Sequence, residues 1–285
     1  MRNIELKVMA ETTPFVRIDP PGGWFSLGLH ELWEYRELLY FLVWREVKVR
    51  YKQTVIGVCW AVLQPLISMI IFTIVLGQFA RIPSDGLPYP LLVYSGLLPW
   101  GYFASAFNRC VQSVVGEANL ISKIYFPRLL LPIAGTISGL IDFAVSLVLL
   151  LGMILWYGMV PSWGILALPI FLFLGFSTAL AVGLWLSSFN VRYRDVGQAI
   201  PFLTQAWMFA SPVVYPVSLI PEKWQVFYYS LNPMVGVIEG FRWALLGKAS
   251  PNFSLMAVSG IVVLAVLISG VIFFKNMEQT FADVV

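Results

Sequence analysis

The chain has 285 residues, of which 59% are hydrophobic and only 12% charged, about half the charged share of an ordinary soluble domain. That balance excludes a soluble globular fold. The net charge of +3 is too small to argue for nucleic acid, and no nucleic-acid partner is expected.

Residues 1–29 are mixed and polar, with Glu5, Lys7, Glu11, Arg17 and Asp19. They lack the apolar core of a signal peptide and read as a cytoplasmic segment. Residues 30–53 follow a helical period that puts Trp33, Tyr40, Trp44, Val47 and Tyr51 on one stripe. Glu34, Glu37, Arg45, Lys48 and Lys52 fall on another face. Such a helix is suited to the membrane–water interface, where Trp and Tyr sit at headgroup level.

Six uncharged stretches follow: 53–80, 86–108, 129–141 (continuing past the lone Asp142), 164–191, 196–221 and 249–274. A hydrocarbon core about 30 Å thick needs about 20 mostly apolar residues in a helix. The expected fold is therefore an all-α integral membrane protein with six transmembrane helices near 55–80, 88–116, 129–157, 164–191, 197–216 and 252–274. The third and fourth spans meet in a tight turn around Pro161-Ser162-Trp163-Gly164. Residues 217–248 are too apolar for an ordinary loop and too short to cross and return. They read as a re-entrant helical segment broken near Asn232-Pro233, which implies a cavity beside it. The permease domain then spans 54–275, and 276–285 form a cytoplasmic tail.

Orientation follows from the cations. Arg2, Lys7, Arg17, Arg36, Arg45, Lys48, Arg50 and Lys52 precede the first span. Arg109, Lys123 and Arg128 fall in the second loop, Arg192 and Arg194 in the fourth, and Lys275 in the tail. The opposite side holds only Arg81, Lys223, Arg242 and Lys248. Positive charge collects on the cytoplasmic side, so both termini are expected inside.

The cysteines, Cys59 and Cys110, offer neither a disulfide framework nor metal spacing. The one Gly-Lys pair, Gly247-Lys248, has Arg242 where a phosphate loop needs its first glycine. Acids within the apolar stretches reduce to Asp142, with Glu239 in the re-entrant segment. Ion-driven carriers rely on intramembrane acid relays, and a membrane enzyme needs paired acid–base groups. A lone Asp142 supplies neither, so the chain reads as a passive path powered by another protein, with no catalytic residue, metal or cofactor of its own.

Several strings carry a resemblance. Arg50-Tyr51-Lys52-Gln53-Thr54-Val55-Ile56-Gly57, with Trp60 and Pro65 after it, leads into the first span. Gly96-Leu97-Leu98-Pro99-Trp100 lies in the second span, and Asn119 to Arg128 (NLISKIYFPR) in the second loop. Arg194-Asp195, Ser211-Pro212-Val213-Val214-Tyr215-Pro216 and Asn232-Pro233-Met234 follow in order. Over about residues 30–275 the chain resembles the permeases of polysaccharide-exporting ATP-binding-cassette transporters, the Wzm-like family.

The resemblance implies a homodimer in the bacterial inner membrane, docked on two copies of a separate ATPase subunit that carries ATP and magnesium. Its substrate would be a polyprenyl-diphosphate-linked glycan, lipopolysaccharide O antigen ahead of capsule or teichoic acid. A drug or small-lipid exporter shares the topology but not the strings at 50–57 and 119–128; a membrane glycosyltransferase would need the missing acid pairs. Under the resemblance, Glu117, Asn119, Leu120, Ile121, Lys123, Phe126, Pro127 and Arg128 form the ATPase-coupling loop. Their spacing suggests a short docking helix stopped by Pro127, with Glu117 facing a basic residue of the ATPase. Arg45, Lys48, Arg50 and Lys52 cluster where an anionic lipid-diphosphate would enter, although ordinary positive-inside charge explains them as well. The first and fifth spans would line a pore, with Trp60, Phe72, Phe79, Phe202, Trp207, Phe209 and Tyr215 as candidate rings for stacking on sugar faces. Pro212, Pro216, Asn232, Pro233, Glu239 and Arg242 would shape the outer gate. Gly135 and Gly139 form a small-xxx-small pair suited to close helix packing.

The charge asymmetry makes a direct prediction. In a cysteine-free background, an impermeant maleimide should label Lys223→Cys from outside intact cells and Lys123→Cys only after permeabilisation. Outside labelling at position 123 would invert the topology.

Overall fold

The computed structural model describes residues 29–52, 57, 59–247 and 252–284, and all its regular elements are helical. The expected segment 1–28, the stretch 53–56 at the entry to the first span, and Lys248 lie outside the described residues.

Helix α1 (Leu29–Glu34) runs into α2 (Arg36–Tyr51) through a bend at Tyr35. Helix α3 (Cys59–Phe72) contains Pro65 and widens into π-type turns over Thr73–Phe79. Helix α4 (Tyr89–Gly116) is followed by the single turn α5 (Ala118–Ile121). The third apolar stretch forms two helices, α6 (Leu130–Ser138) and α7 (Leu140–Trp156), meeting at Gly139. Gly158 takes a left-handed backbone after α7, and the Ser162 hydroxyl accepts the Gly164 amide to start a 3-10 turn over Trp163–Ala167. Helix α8 (Leu168–Arg192) leaves that turn; the connection is short, as expected, but α7 and α8 each pack on α4 and not on one another as a hairpin. Helices α9 (Asp195–Phe209), α10 (Glu222–Leu231), α11 (Met234–Leu246) and α12 (Phe253–Val284) complete the chain.

Among the described residues, four stretches are long and apolar enough to cross a membrane: Cys59–Phe79, Leu130–Trp156, Trp163–Arg192 and Phe253–Glu278. The other two expected spans differ for separate reasons. Helix α4 has 28 residues, about 42 Å at 1.5 Å per residue, but Ser95, Ser105, Asn108, Arg109, Gln112 and Ser113 dilute its apolar character. Helix α9 has only 15 residues, about 22 Å and short of a full crossing. Arg109, expected in the second loop, lies inside α4.

The expected tail is also helical, because α12 continues through Lys275 to Val284. The reason is burial: Phe274 and Phe281 are both fully buried and pack edge to face at 5.2 Å.

Two apolar cores result. The larger joins α4 to α7, α8, α9 and α11, with Tyr94, Phe103, Phe107 and Phe241 fully buried. Helix α8 packs along both α4 and α12. The smaller core gathers Leu42 of α2, Ile121 of α5, Phe126, Leu130 of α6, and Phe274 and Phe281 of α12. It therefore collects the ends that carry most of the positive charge.

Close approach fixes the upper part of α4. A methyl group on Gly96 would collide with the Val213 carbonyl oxygen and crowd the Arg242 guanidinium. Backbone cannot yield as a flexible side chain can, and overpacking of this kind costs about 1–3 kcal/mol. Gly96→Ala should therefore lower the detergent-solubilised chain's melting temperature and its accumulation. An unchanged melting temperature would contradict the packing described.

Candidate functional site

At the end of the bundle where α4 finishes, α2 does not lie free along a surface. It packs along α6, with Leu42 and Val47 buried, while Trp33, Tyr40 and Trp44 at its beginning stay exposed. The aromatic stripe read from the sequence is thus divided, its first half facing outward and its last residue, Tyr51, turned inward. Two charge contacts hold α2 in place. The Arg45 guanidinium pairs with the Glu117 carboxylate where α4 ends. Five residues on, Arg50 pairs with Asp142 in the first turn of α7, and the Tyr51 hydroxyl donates to the same carboxylate. Asp142 also gains from the positive end of the α7 dipole. Burial and then the Asp142 carboxylate raise the Tyr51 phenol above its ordinary range, so it remains a neutral donor.

Of the four basic residues proposed for a lipid-diphosphate, Arg45 and Arg50 are therefore engaged within the chain. Lys48 and Lys52 face outward, with Lys48 5.9 Å from the Trp44 ring centroid. Glu117, expected to face a base on another subunit, is paired with Arg45 within the chain.

Arg109 is the charged residue that sequence inspection misplaced. Its Nε donates to the Gly135 carbonyl at 2.9 Å, and its guanidinium occupies the space left by the absent side chain of Gly139. The small-xxx-small pair thus admits an arginine from α4 as well as a close backbone. Asp142, Arg50 and Glu46 all lie within electrostatic reach of it. Beside it, a cavity of about 160 Å³ is lined by Glu46, Asn108, Arg109, Gln112 and Glu117 among others.

The loop after α4 is shorter in helix than expected, since α5 stops at Ile121. Pro127 disfavours helix at Phe126, and Phe126 turns into the smaller core at 3% exposure. Ile121 is buried beside it, Leu120 is partly buried, and Asn119 and Lys123 are exposed. The outward apolar pair is Ile124 and Tyr125, 57% and 68% exposed. Pro127 and Arg128 close the loop against α12: the Arg128 amide donates to Glu278 Oε1 at 2.8 Å, and its guanidinium donates to the Glu278 carbonyl. Glu278 was invisible in the sequence because it stands in what reads as a polar tail.

The proposed ring set separates into two groups. Trp207 packs inward, 4.9 Å from Phe103, and donates to Asn232 Oδ1 at 2.9 Å. Tyr215 bonds the Phe209 carbonyl and the Tyr228 hydroxyl, and Phe72 packs on the larger core. Trp60, Phe79, Phe202 and Phe209 are 55%, 79%, 75% and 53% exposed. On α9, Gln198, Phe202, Gln205 and Phe209 form one exposed stripe at helical spacing. Helix α3, counted with its π-type continuation to Phe79, exposes Trp60, Gln64, Ile67, Ile71 and Gln78. Both helices pack on α4, whose lower half exposes Gly101, Gln112 and Gly116.

The six residues assigned to the outer gate fall in two bonding groups that share the segment 210–216, one around Arg242 and one around Asn232. The guanidinium of Arg242, 5% exposed, donates to the carbonyls of Val213 (2.8 Å), Leu92 (3.2 Å) and Tyr215 (3.2 Å) and to Glu239 (2.9 Å). Pro212 and Pro216 flank the bonded carbonyls and are buried. Asn232 donates to the Ala210 carbonyl and the Ser211 hydroxyl, accepts the Met234 amide, and with Pro233 separates α10 from α11.

The family model described as ABC-2 type transporter matches residues 37–246. The chain is 31% identical over 261 residues to the O-antigen export system permease protein RfbA of Myxococcus xanthus, covering 90% of this chain and 98% of that protein. It is 26% identical over 254 residues to an RfbA permease of Klebsiella pneumoniae, covering 87% and 95%. It is also 26% identical over 250 residues to the polysialic acid transport protein KpsM of Escherichia coli, covering 82% and 91%.

Proposed function

The chain belongs to the ABC-2 type transporter family, and from that premise we propose that it forms the membrane path of an ATP-driven exporter of polyprenyl-diphosphate-linked polysaccharide, O antigen foremost. It is a multi-pass membrane permease and not itself a catalyst. ATP and magnesium act on a separate subunit, of which two copies serve a homodimer of this chain in the bacterial inner membrane. Both termini face the cytoplasm, six segments span, and α10–α11 re-enter from the outer side. Similarity to a capsule-type transporter favours one second reading, a capsular polysaccharide as cargo.

The observation that carries this reading is the exposed face of α9. Glutamine side chains at Gln198 and Gln205 are unfavourable against lipid tails, which offer no hydrogen bonds. The same stripe presents Phe202 and Phe209. Amide groups for hydroxyls and flat rings for apolar pyranose faces suit a moving sugar chain, which must be contacted everywhere and gripped nowhere. Helix α3 supplies a matching surface with Trp60, Gln64 and Gln78. A second copy of the chain, facing the first across these surfaces, would enclose the path.

The cytoplasmic end supplies the drive. Ile124 and Tyr125 project from a short loop whose two ends are anchored, at Glu117 by Arg45 and at Arg128 by Glu278. A loop held at both ends transmits displacement instead of absorbing it, so this is the surface for the ATPase.

The rings can be tested against ordinary lipid contact. Replacing Phe202 and Phe209 together by Leu keeps apolar bulk and removes the flat face. Loss of two ring contacts, each worth roughly 0.5–1.5 kcal/mol, should lower surface polysaccharide by about ten-fold at unchanged membrane level of the chain. Wild-type export by the double leucine variant would place these rings against lipid and remove the support for this path.

A further inference from the structure

Asp142 is a carboxylate in the first turn of a helix within the stretch Leu130–Trp156, long and apolar enough to cross a membrane. A charge at that depth is retained only where it is paired, and such residues mark working parts of membrane proteins. Its partners are Arg50 and Tyr51, 92 and 91 residues earlier in the chain and both at the end of α2. Beyond Asp142 lies Arg109 from α4, seated over Gly135 and Gly139. Three helices thus meet at one small charged group.

Arg45 lies five residues before Arg50, about 7.5 Å along the helix axis, and is paired with Glu117 at the root of the second loop. One rigid helix is therefore fastened at one point to the loop and at another to the start of α7. We propose that Arg50, Tyr51 and Asp142 act as a positioning clasp, which makes α2 and α7 one mechanical body and carries loop displacement directly into the third span. This rests on the export reading given above. It assigns Asp142 a transmitting role rather than a proton-carrying one, and gives Arg50 a fixed partner in place of the lipid-diphosphate.

The clasp has a consequence that does not depend on cargo. In the purified chain, Asp142→Ala should raise amide hydrogen exchange over residues 46–51 relative to the unchanged chain, whereas exchange in α8 should stay the same. In cells, Asp142→Ala and Arg50→Ala should each lower export by about ten-fold while the chain accumulates and co-purifies with its ATPase. The exchanged pair Arg50→Asp with Asp142→Arg should recover a substantial part of that export. If Asp142→Ala fails to accumulate, Tyr51→Phe removes only the hydroxyl bond and should raise exchange over 46–51 by a smaller amount. Unchanged exchange in these variants, normal export in the single variants, or an exchanged pair no better than either single variant would overturn the clasp. Failure of the export reading is separately visible: deleting the gene would then leave surface polysaccharide unchanged, whatever the exchange data show.

Discussion

A charge near the hydrocarbon must find its counter-charge or its hydrogen bonds within the protein, because lipid supplies neither. Most of the long-range architecture of this chain follows from that constraint. Arg242 binds three carbonyls and Glu239, and so fixes the start of α4, the turn after α9 and the body of α11 relative to one another. Arg50 and Asp142 fix α2 to α7, Arg45 and Glu117 fix α2 to the end of α4, and Arg128 and Glu278 fix the next loop to α12. Removing one partner from such a buried arrangement leaves the other uncompensated, which is more damaging than never having had the pair.

These contacts divide the molecule into two working regions. The larger core is a nearly all-apolar packing of α4 against α7, α8, α9 and α11, with aromatic edges fitted at Phe103, Trp207 and Phe241. The smaller core gathers parts of α2, α4, α5, α6, α8 and α12 around Phe126, Phe274 and Phe281. Apolar contact brings those elements together, and the ion pairs set their register. Under the proposed coupling, an end built this way would move as a unit when the exposed Ile124–Tyr125 surface is displaced, with α2 and α12 as two routes for that motion into the spans.

Much of this was legible in the residues themselves. Long uncharged runs predicted spans near 55–80, 129–157, 164–191 and 252–274, and apolar helical stretches stand at Cys59–Phe79, Leu130–Trp156, Trp163–Arg192 and Phe253–Glu278, because burial in lipid imposes a composition that sequence displays directly. Asn232-Pro233 predicted the break between α10 and α11 through the proline's missing amide and the asparagine's ability to cap the following turn. Pro127 predicted a helix running up to Phe126, whereas α5 already ends at Ile121. Ring orientation was not legible: Trp207 and Phe209 are two residues apart, yet one packs inside and the other outside. Pairing was equally hidden. Asp142 looked unsupported because its partners are about ninety residues away, and Glu117 looked available because Arg45 belongs to a different helix. The final turns of α12 looked like a tail because Lys275 and Glu278 mask the phenylalanines that bury it.

On the function proposed, this chain conducts a lipid-linked polysaccharide only when a separate ATPase drives it. The most direct test is transport into sealed vesicles of a fluorescently marked glycan carried on a polyprenyl diphosphate. Luminal glycan should accumulate when the chain, the ATPase subunit and hydrolysable ATP with magnesium are all present, and stay at background when any one is omitted. Equal accumulation with the chain alone, or with a non-hydrolysable ATP analogue, would contradict the account.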